Sequence, residues 1–179
     1  MKPMEIIPLF DRYLGDREIA FEAIVVGGTA LALLGLIARE TRDCDVIEPH
    51  LPETLLETSR AFAKDLVDYG VILRDDWLNN GPSSLADVLP DGWRNRLQVL
   101  YRGQAITLWS LGRSELIMSK VFALCDRGTD LTDCLAFQPT MEELGVAASW
   151  LVQQDLHPDW PLHVHATLDD LARRLSHGL

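Results

Sequence analysis

Apolar positions follow two periods along the chain, and the change of period divides it. Residues 4–20, MEIIPLFDRYLGDREIA, are spaced as a helix with Pro8 near its start. FEAIVV (21–26) is a short continuous apolar run that stops at Gly27, which predicts a buried strand. TALALLGLIA (29–38) is rich in Ala and Leu and predicts a helix. DCDVI (43–47), bounded by Pro49, reads as a second strand. PETLLETSRAFAKDLVDYG (52–70) is amphipathic: Pro52 suits a first turn, Gly70 a stop, and Leu55, Leu56, Phe62 and Leu66 share a face. VILR (71–74) is a third strand candidate, and 75–94 is turn-rich through NNGPSS and LPDGW. RLQVLYRGQAITLWSLG has two runs around Arg102–Gly103 and predicts a hairpin in which Leu97, Val99 and Tyr101 alternate with Gln98, Leu100 and Arg102. From Arg113 onward every periodic stretch is helical, over 114–125, 130–137, 140–155 and 167–178. The expectation is an α+β (α/β-like) chain. Residues 1–110 form a mixed sheet flanked by helices, and residues 111–179 form a helical subdomain packed on it.

Composition narrows the function. The chain has 179 residues, 47% of them hydrophobic, and a formal net charge of -11. Such a field opposes passive nucleic-acid binding, which needs clustered Lys and Arg. It favours a small-molecule, protein or tRNA-end partner over long RNA. The longest apolar run, TALALLGLIA, is about half a membrane span. MKPMEIIPLF lacks the pattern of a secretory signal. Cys44, Cys125 and Cys134 show no C-x-x-C spacing, and an odd count without a signal favours buried, reduced thiols and a cytoplasmic location.

Two features carry candidate chemistry. The strand ending at Gly27–Gly28 feeds a helix, an arrangement in which backbone N–H groups and the Thr29 hydroxyl can meet phosphate. The plain alternative is a tight strand–helix turn. One helix later comes Asp43-Cys44-Asp45. Residues i and i+2 of a strand share a face, so the two carboxylates project together, about 7 Å apart along the strand, with Cys44 turned to the core. Like charges held so close call for a cation, and Mg²⁺ commonly joins one or two carboxylates to substrate phosphates. The alternative for an isolated D-x-D is a solvated strand end. Elsewhere, HPDWPLHVH offers His157, His163 and His165 but reads as a surface loop, and Trp77 reads as the buried anchor of its loop.

VVGGTALALLGLIARETRDCDVI resembles the nucleotidyltransferase-fold superfamily, and more narrowly its DUF6036 and AbiEii-like branch, through Gly27, Gly28, Ala30, Leu31, Gly35, Arg39, Thr41, Asp43 and Asp45. A second match follows in ELIMSKVFALCDRGTDLTDCLAF with Lys120, Arg127, Asp130 and Asp133, and in PTMEEL after it. The resemblance covers roughly residues 20–145. It implies a nucleotidyltransferase-like sheet and transfer of a nucleoside monophosphate from an NTP to an unknown acceptor: an RNA end, a protein or a small molecule. Toxin–antitoxin pairing is one setting it suggests. By that likeness Asp43 and Asp45 hold Mg²⁺ and are catalytic with Lys120, which balances phosphate charge. Gly27, Gly28 and Thr29 hold the triphosphate, and Arg39 or Arg42 steadies phosphate or pairs with the acids. Lys120 also reads as a solvent-facing helix lysine, and Asp130 and Asp133 read first as a helix cap. Many members of the superfamily carry a third carboxylate on a later strand. VILR and RLQVLYRGQAITLW have no interior acid, so Asp75 and Asp76 are the replacements available. Without one, the chain reads instead as a degenerate nucleotidyltransferase fold serving as a binding partner.

Overall fold

The computed structural model describes residues 1–177. The chain forms two compact units, one of Met1–Asp87 with Arg94–Leu111, the other of Val88–Trp93 with Gly112 onward. The described residues hold a five-stranded mixed sheet and eight helices, an α+β fold.

The first unit opens with α1 (Pro3–Gly15), then β1 (Phe21–Val26), α2 (Gly27–Leu33), β2 (Cys44–Glu48), α3 (Glu53–Val67), β3 (Leu78–Asn79), β4 (Gln98–Arg102) and β5 (Ile106–Ser110), with a short α4 at Leu85–Val88 before β4. The sheet is open, in the order β3-β2-β1-β5-β4. β1 runs antiparallel to β2 and parallel to β5, β2 is parallel to β3, and β4 and β5 form the hairpin. One face of the sheet is core: Phe21, Ala23, Val25, Cys44, Val46, Ile106 and Leu108 are all buried. Ile6, Ile7, Phe10 and Leu14, on one side of α1, are buried as well. Phe10, Phe62 and Trp77 meet with ring centroids 5.0–6.0 Å apart, and the Trp77 indole N–H donates to the Ser59 carbonyl at 3.1 Å. Trp77 is therefore the buried anchor of its loop.

Several elements depart from the pattern-based expectation. VILR is not a strand. The Val71 N–H closes the end of α3 on the Leu66 carbonyl, and the Arg74 carbonyl closes a turn to Trp77. Pairing with β2 starts only after that turn, at Leu78. In β4 a bulge between Val99 and Tyr101 puts Val99 opposite Trp109 and Tyr101 opposite Leu108, so the expected alternation breaks.

The second unit contains α5 (Arg113–Arg127), α6 (Leu131–Phe137), α7 (Met141–Leu151) and α8 (Trp160–Ser176). α7 begins with a capping box between Thr140 and Glu143. Glu143 also receives the Arg113 guanidinium, at 2.6 and 3.2 Å. The Arg113 bond first, and the Thr140 N–H after it, hold the Glu143 carboxyl below its ordinary value. α8 starts seven residues earlier than expected, so His163 and His165 are helical and not in a loop, and the His163 Nε2 is 2.8 Å from the Cys125 carbonyl. The expected end of that helix at Gly178 lies outside the described residues. Among the described residues no helix is long and apolar enough to cross a membrane.

One buried charge holds the hairpin turn. Asp11 of α1 accepts from the backbone N–H groups of Gln104, Ala105 and Ile106 at 3.0, 2.9 and 2.7 Å. Burial alone would raise its carboxyl, but these bonds and one from Tyr101 outweigh it and the value falls. A depressed folded value means that this stabilisation is complete above the unfolded carboxylate range, about pH 4, and drains away as pH falls through the folded value. Asp11→Ala is expected to cost about 3 kcal/mol at pH 7 by urea unfolding, with the gap to wild type closing in acid. An equal gap at pH 7 and pH 3 would show that the carboxylate charge is not the stabilising feature.

Candidate functional site

The glycine pair and the acids meet because the chain folds back on itself within twenty residues. Val26 leads straight into Gly27, which stands at φ +67. A Cβ on Gly27 would lie 2.7 Å from Oδ2 of Asp45. A Cβ on Gly28 would lie 2.7 Å from Cγ2 of Thr41 and 3.8 Å from Nη1 of Arg39. The two glycines are thus the space into which the R-x-T-x-D-x-D segment packs.

α2 is shorter than the Ala- and Leu-rich run suggests. It stops at Leu33, and Gly35, at φ +72, sits just beyond. The Leu36 N–H bonds the Leu31 carbonyl at 2.9 Å and the Gly35 N–H bonds the Ala32 carbonyl at 3.0 Å, a Schellman closure. This frees the chain after Gly35 to return toward β1, where Asp45 pairs with Val26. Thr29, expected at the triphosphate, is instead fully buried. Its hydroxyl donates to the Asp43 carbonyl at 2.6 Å and lies 3.3 Å from the Thr41 hydroxyl. Thr29 therefore ties α2 to the D-x-D through its hydroxyl.

Cys44 is buried between the two half-buried acids. Burial first, then the charges of Asp45 and Asp43, push its thiol well up, so it is inert at neutral pH. β2 begins at Cys44, which leaves Asp43 one residue outside the strand. On its other side Asp45 pairs with Asn79 of β3. Arg74 was not visible as a site residue. Its guanidinium grips Asp76 through Nε and Nη2, both at 2.7 Å, and its value is raised first by Asp76 and further by the charge of Asp43. Asp76 is thereby committed to Arg74, and with Asp75, His50 and Arg60 it lines a separate cavity of about 310 Å³. Neither replacement for a third acid joins a metal-ligating cluster. Among the described residues no three His, Cys, Asp or Glu side chains come together in that way. The D-x-D donor set is two carboxylates, which fits Mg²⁺ sharing its shell with substrate phosphate and does not fit an all-protein cage.

The other expected residues are placed as follows. Arg39 is exposed beside Gly28, with Nη1 3.4 Å from the Glu40 carbonyl, and Arg42 is exposed. Lys120, within the second unit, is not solvent-facing: it is 7% exposed and bonds Asp133 at 2.8 Å and Asp130 at 3.2 Å. The capping expectation for Asp130 is corrected, while Asp133 lies in the first turn of α6. Asp130 holds the cap position at φ 69 but makes no side-chain cap, since its carboxylate goes to Lys120 and, at 3.7 Å, to Arg127.

Residues 5–138 match a family described as a nucleotidyltransferase of unknown function, DUF6036. The chain belongs to this family. The match takes in the glycine pair, the D-x-D and the Lys120–Asp133 cluster. No curated protein and no solved structure matches. Within the DUF6036 chain, spacing carried the glycine pair and the acids. It did not carry Thr29 to Asp43, which depends on where α2 ends.

Two stability measurements follow. Gly35 has a positive φ but nothing within 4 Å of its Cβ position, whereas Gly27 has both the φ and the carboxylate. Gly35→Ala is expected to cost about 1 kcal/mol and Gly27→Ala about 3 kcal/mol by urea unfolding. Equal costs would mean that Asp45 does not confine Gly27. Lys120→Met takes the shared ammonium away from Asp130 and Asp133, the latter 1% exposed, and is expected to cost about 3–5 kcal/mol, partly restored by adding Asp133→Asn. A neutral Lys120→Met would refute the buried cluster.

Proposed function

We propose that the chain is a Mg²⁺-dependent nucleotidyltransferase that moves a nucleoside monophosphate from an NTP to an acceptor hydroxyl. The observation that carries this reading is the seating of Asp45 against Gly27, with Asp43 tied to α2 through Thr29. The family's description as a nucleotidyltransferase supports it.

Asp43 and Asp45 would hold the cation, and Mg²⁺ when bound supplies charge neutralisation at the phosphates. The remaining work falls to the chain. The backbone N–H groups at Gly27–Gly28, where α2 begins beside Asp45, would be the main-chain donors to phosphate. Arg39, beside Gly28, adds a guanidinium suited to phosphate oxygens. Lys120 enters through the second motif. Its ammonium is held by Asp130 and Asp133, so a phosphate role requires exchange of one of those partners. The acceptor oxygen bonds to the α-phosphorus, the α–β P–O bond breaks, pyrophosphate leaves with the electron pair, and the hydroxyl proton passes to water. A toxin of a toxin–antitoxin pair is one setting for such an activity.

A second reading has its own observation. Asp76 is locked to Arg74, and a third carboxylate at the D-x-D is wanting among the described residues. A DUF6036 chain of this kind would bind nucleotide, or a partner protein, without transfer.

Calorimetry with each of the four NTPs and Mg²⁺ tests both. Binding is expected for wild type, and Asp43→Asn/Asp45→Asn is expected to weaken it at least about 100-fold, the order of two lost charge-assisted contacts. Absence of Mg²⁺-dependent binding to any NTP defeats the enzyme reading. Binding with no label moved to RNA, protein or small acceptors favours the partner reading.

A further inference from the structure

The face of the sheet that carries Asp45 holds a cavity of about 720 Å³, within the size range of small-molecule sites. Register puts it there. Val26 pairs with Asp45 and Ile24 with Glu48, so one residue, Ile47, is extra in β2, and Glu48 is turned to the same face as Asp45. In β5, Trp109 stands beside Ile24. Glu22, Ile24 and Val26 alternate onto that face together. Ile24, Pro49 and Leu97 give the cavity an apolar floor.

Its polar fixtures are unequal. Arg94 grips Glu48 through Nε at 3.1 Å and through Nη2, which cancels that charge. Among the described residues Glu22 is held by the Trp109 indole, whose Nε1–H donates to Oε1 at 2.7 Å. An indole N–H orients a carboxylate without neutralising it. Among the described residues no Lys, Arg or His forms an ion pair with Glu22. Two carboxylates against one guanidinium leave the cavity one negative charge, set beside an aromatic ring and an apolar floor. That combination complements an ammonium group on an apolar body.

We propose that this cavity binds a small-molecule amine, its ammonium held by Glu22 and Trp109 and its body lying over Ile24 and Leu97. Under the nucleotidyl-transfer reading, on which this part rests, the amine is the acceptor. Glu22 is four residues from Val26 and so about 13 Å along the strand from the Asp45 position. A hydroxyl at the far end of an amine of that reach stands at the D-x-D and undergoes the displacement written above.

The test uses the full ¹⁵N-labelled chain without NTP or Mg²⁺. The indole signal of Trp109 is assigned among the five tryptophans with Trp109→Phe. Phenethylamine is expected to shift that signal saturably. 2-Phenylethanol, its uncharged analogue, and phenethylamine on Glu22→Gln are each expected to bind at least about ten-fold more weakly. Equal affinity for amine and alcohol, no response at Trp109, or an unaltered Glu22→Gln overturns the amine site. The wild-type comparison of the two probes stands even if a variant fails to fold. Amine binding in a chain that binds no NTP leaves the site intact and sinks only the transfer reading. Transfer to RNA or protein at equal rates in wild type and Glu22→Gln overturns the acceptor assignment.

Discussion

A left-handed backbone, with a carboxylate oxygen 2.7 Å from the place where a Cβ would stand, favours glycine at position 27, and much of the first unit is arranged around that contact. It needs β2 to lie against the end of β1, so the chain must return at once after α2. That requires α2 to be short, which Gly35 secures by taking the left-handed conformation that closes the helix. The return must also be fixed in depth. The buried Thr29 hydroxyl does this through the Asp43 carbonyl, and the Thr41 methyl against Gly28 does it from the other side. Five residues of the family motif thus satisfy packing demands before any ligand is considered.

That dual use changes how the motif is weighed. A glycine pair before a helix is often taken as a sign of phosphate binding, but here each glycine already has a steric reason within the chain. Function has to be argued from the acids. The charges of Asp43 and Asp45 make the thiol of Cys44 between them harder to ionise. Two half-buried carboxylates on either side of a buried thiol are the feature on which the Mg²⁺ proposal rests.

The parts legible in the sequence were those with a strong period. FEAIVV, the long helix after Pro52, the hairpin about Gly103 and the helices from Arg113 all stand out, because one face of each is buried and the spacing records it. What was not legible turned on a single backbone bond or a single extra residue. Gly35 looks like one more small residue in an apolar helix until Leu36 bonds back to Leu31. VILR has a strand's composition, but its first N–H is spent on α3. Lys120 reads as a surface lysine because its partners, ten and thirteen residues on, belong to another helix. In the candidate site, spacing marked Asp43 and Asp45, while Arg74, Glu22 and Trp109 carry no spacing signal and depend on strand register.

The bulge at Ile47 shows how much one residue of register decides. Strict alternation in β2 would put Glu48 on the core face with Cys44 and Val46, where a carboxylate and its arginine would have to be buried. The extra residue turns Glu48 out beside Ile24 and lines it up with Asp45, so the open face collects Asp45, Glu48, Glu22 and Trp109, while the opposite face stays apolar. Removing the bulge would both introduce a charge into the core and dismantle the cavity wall next to the D-x-D. Fold stability and the character of this face therefore constrain the same residue, and selection on either would preserve it.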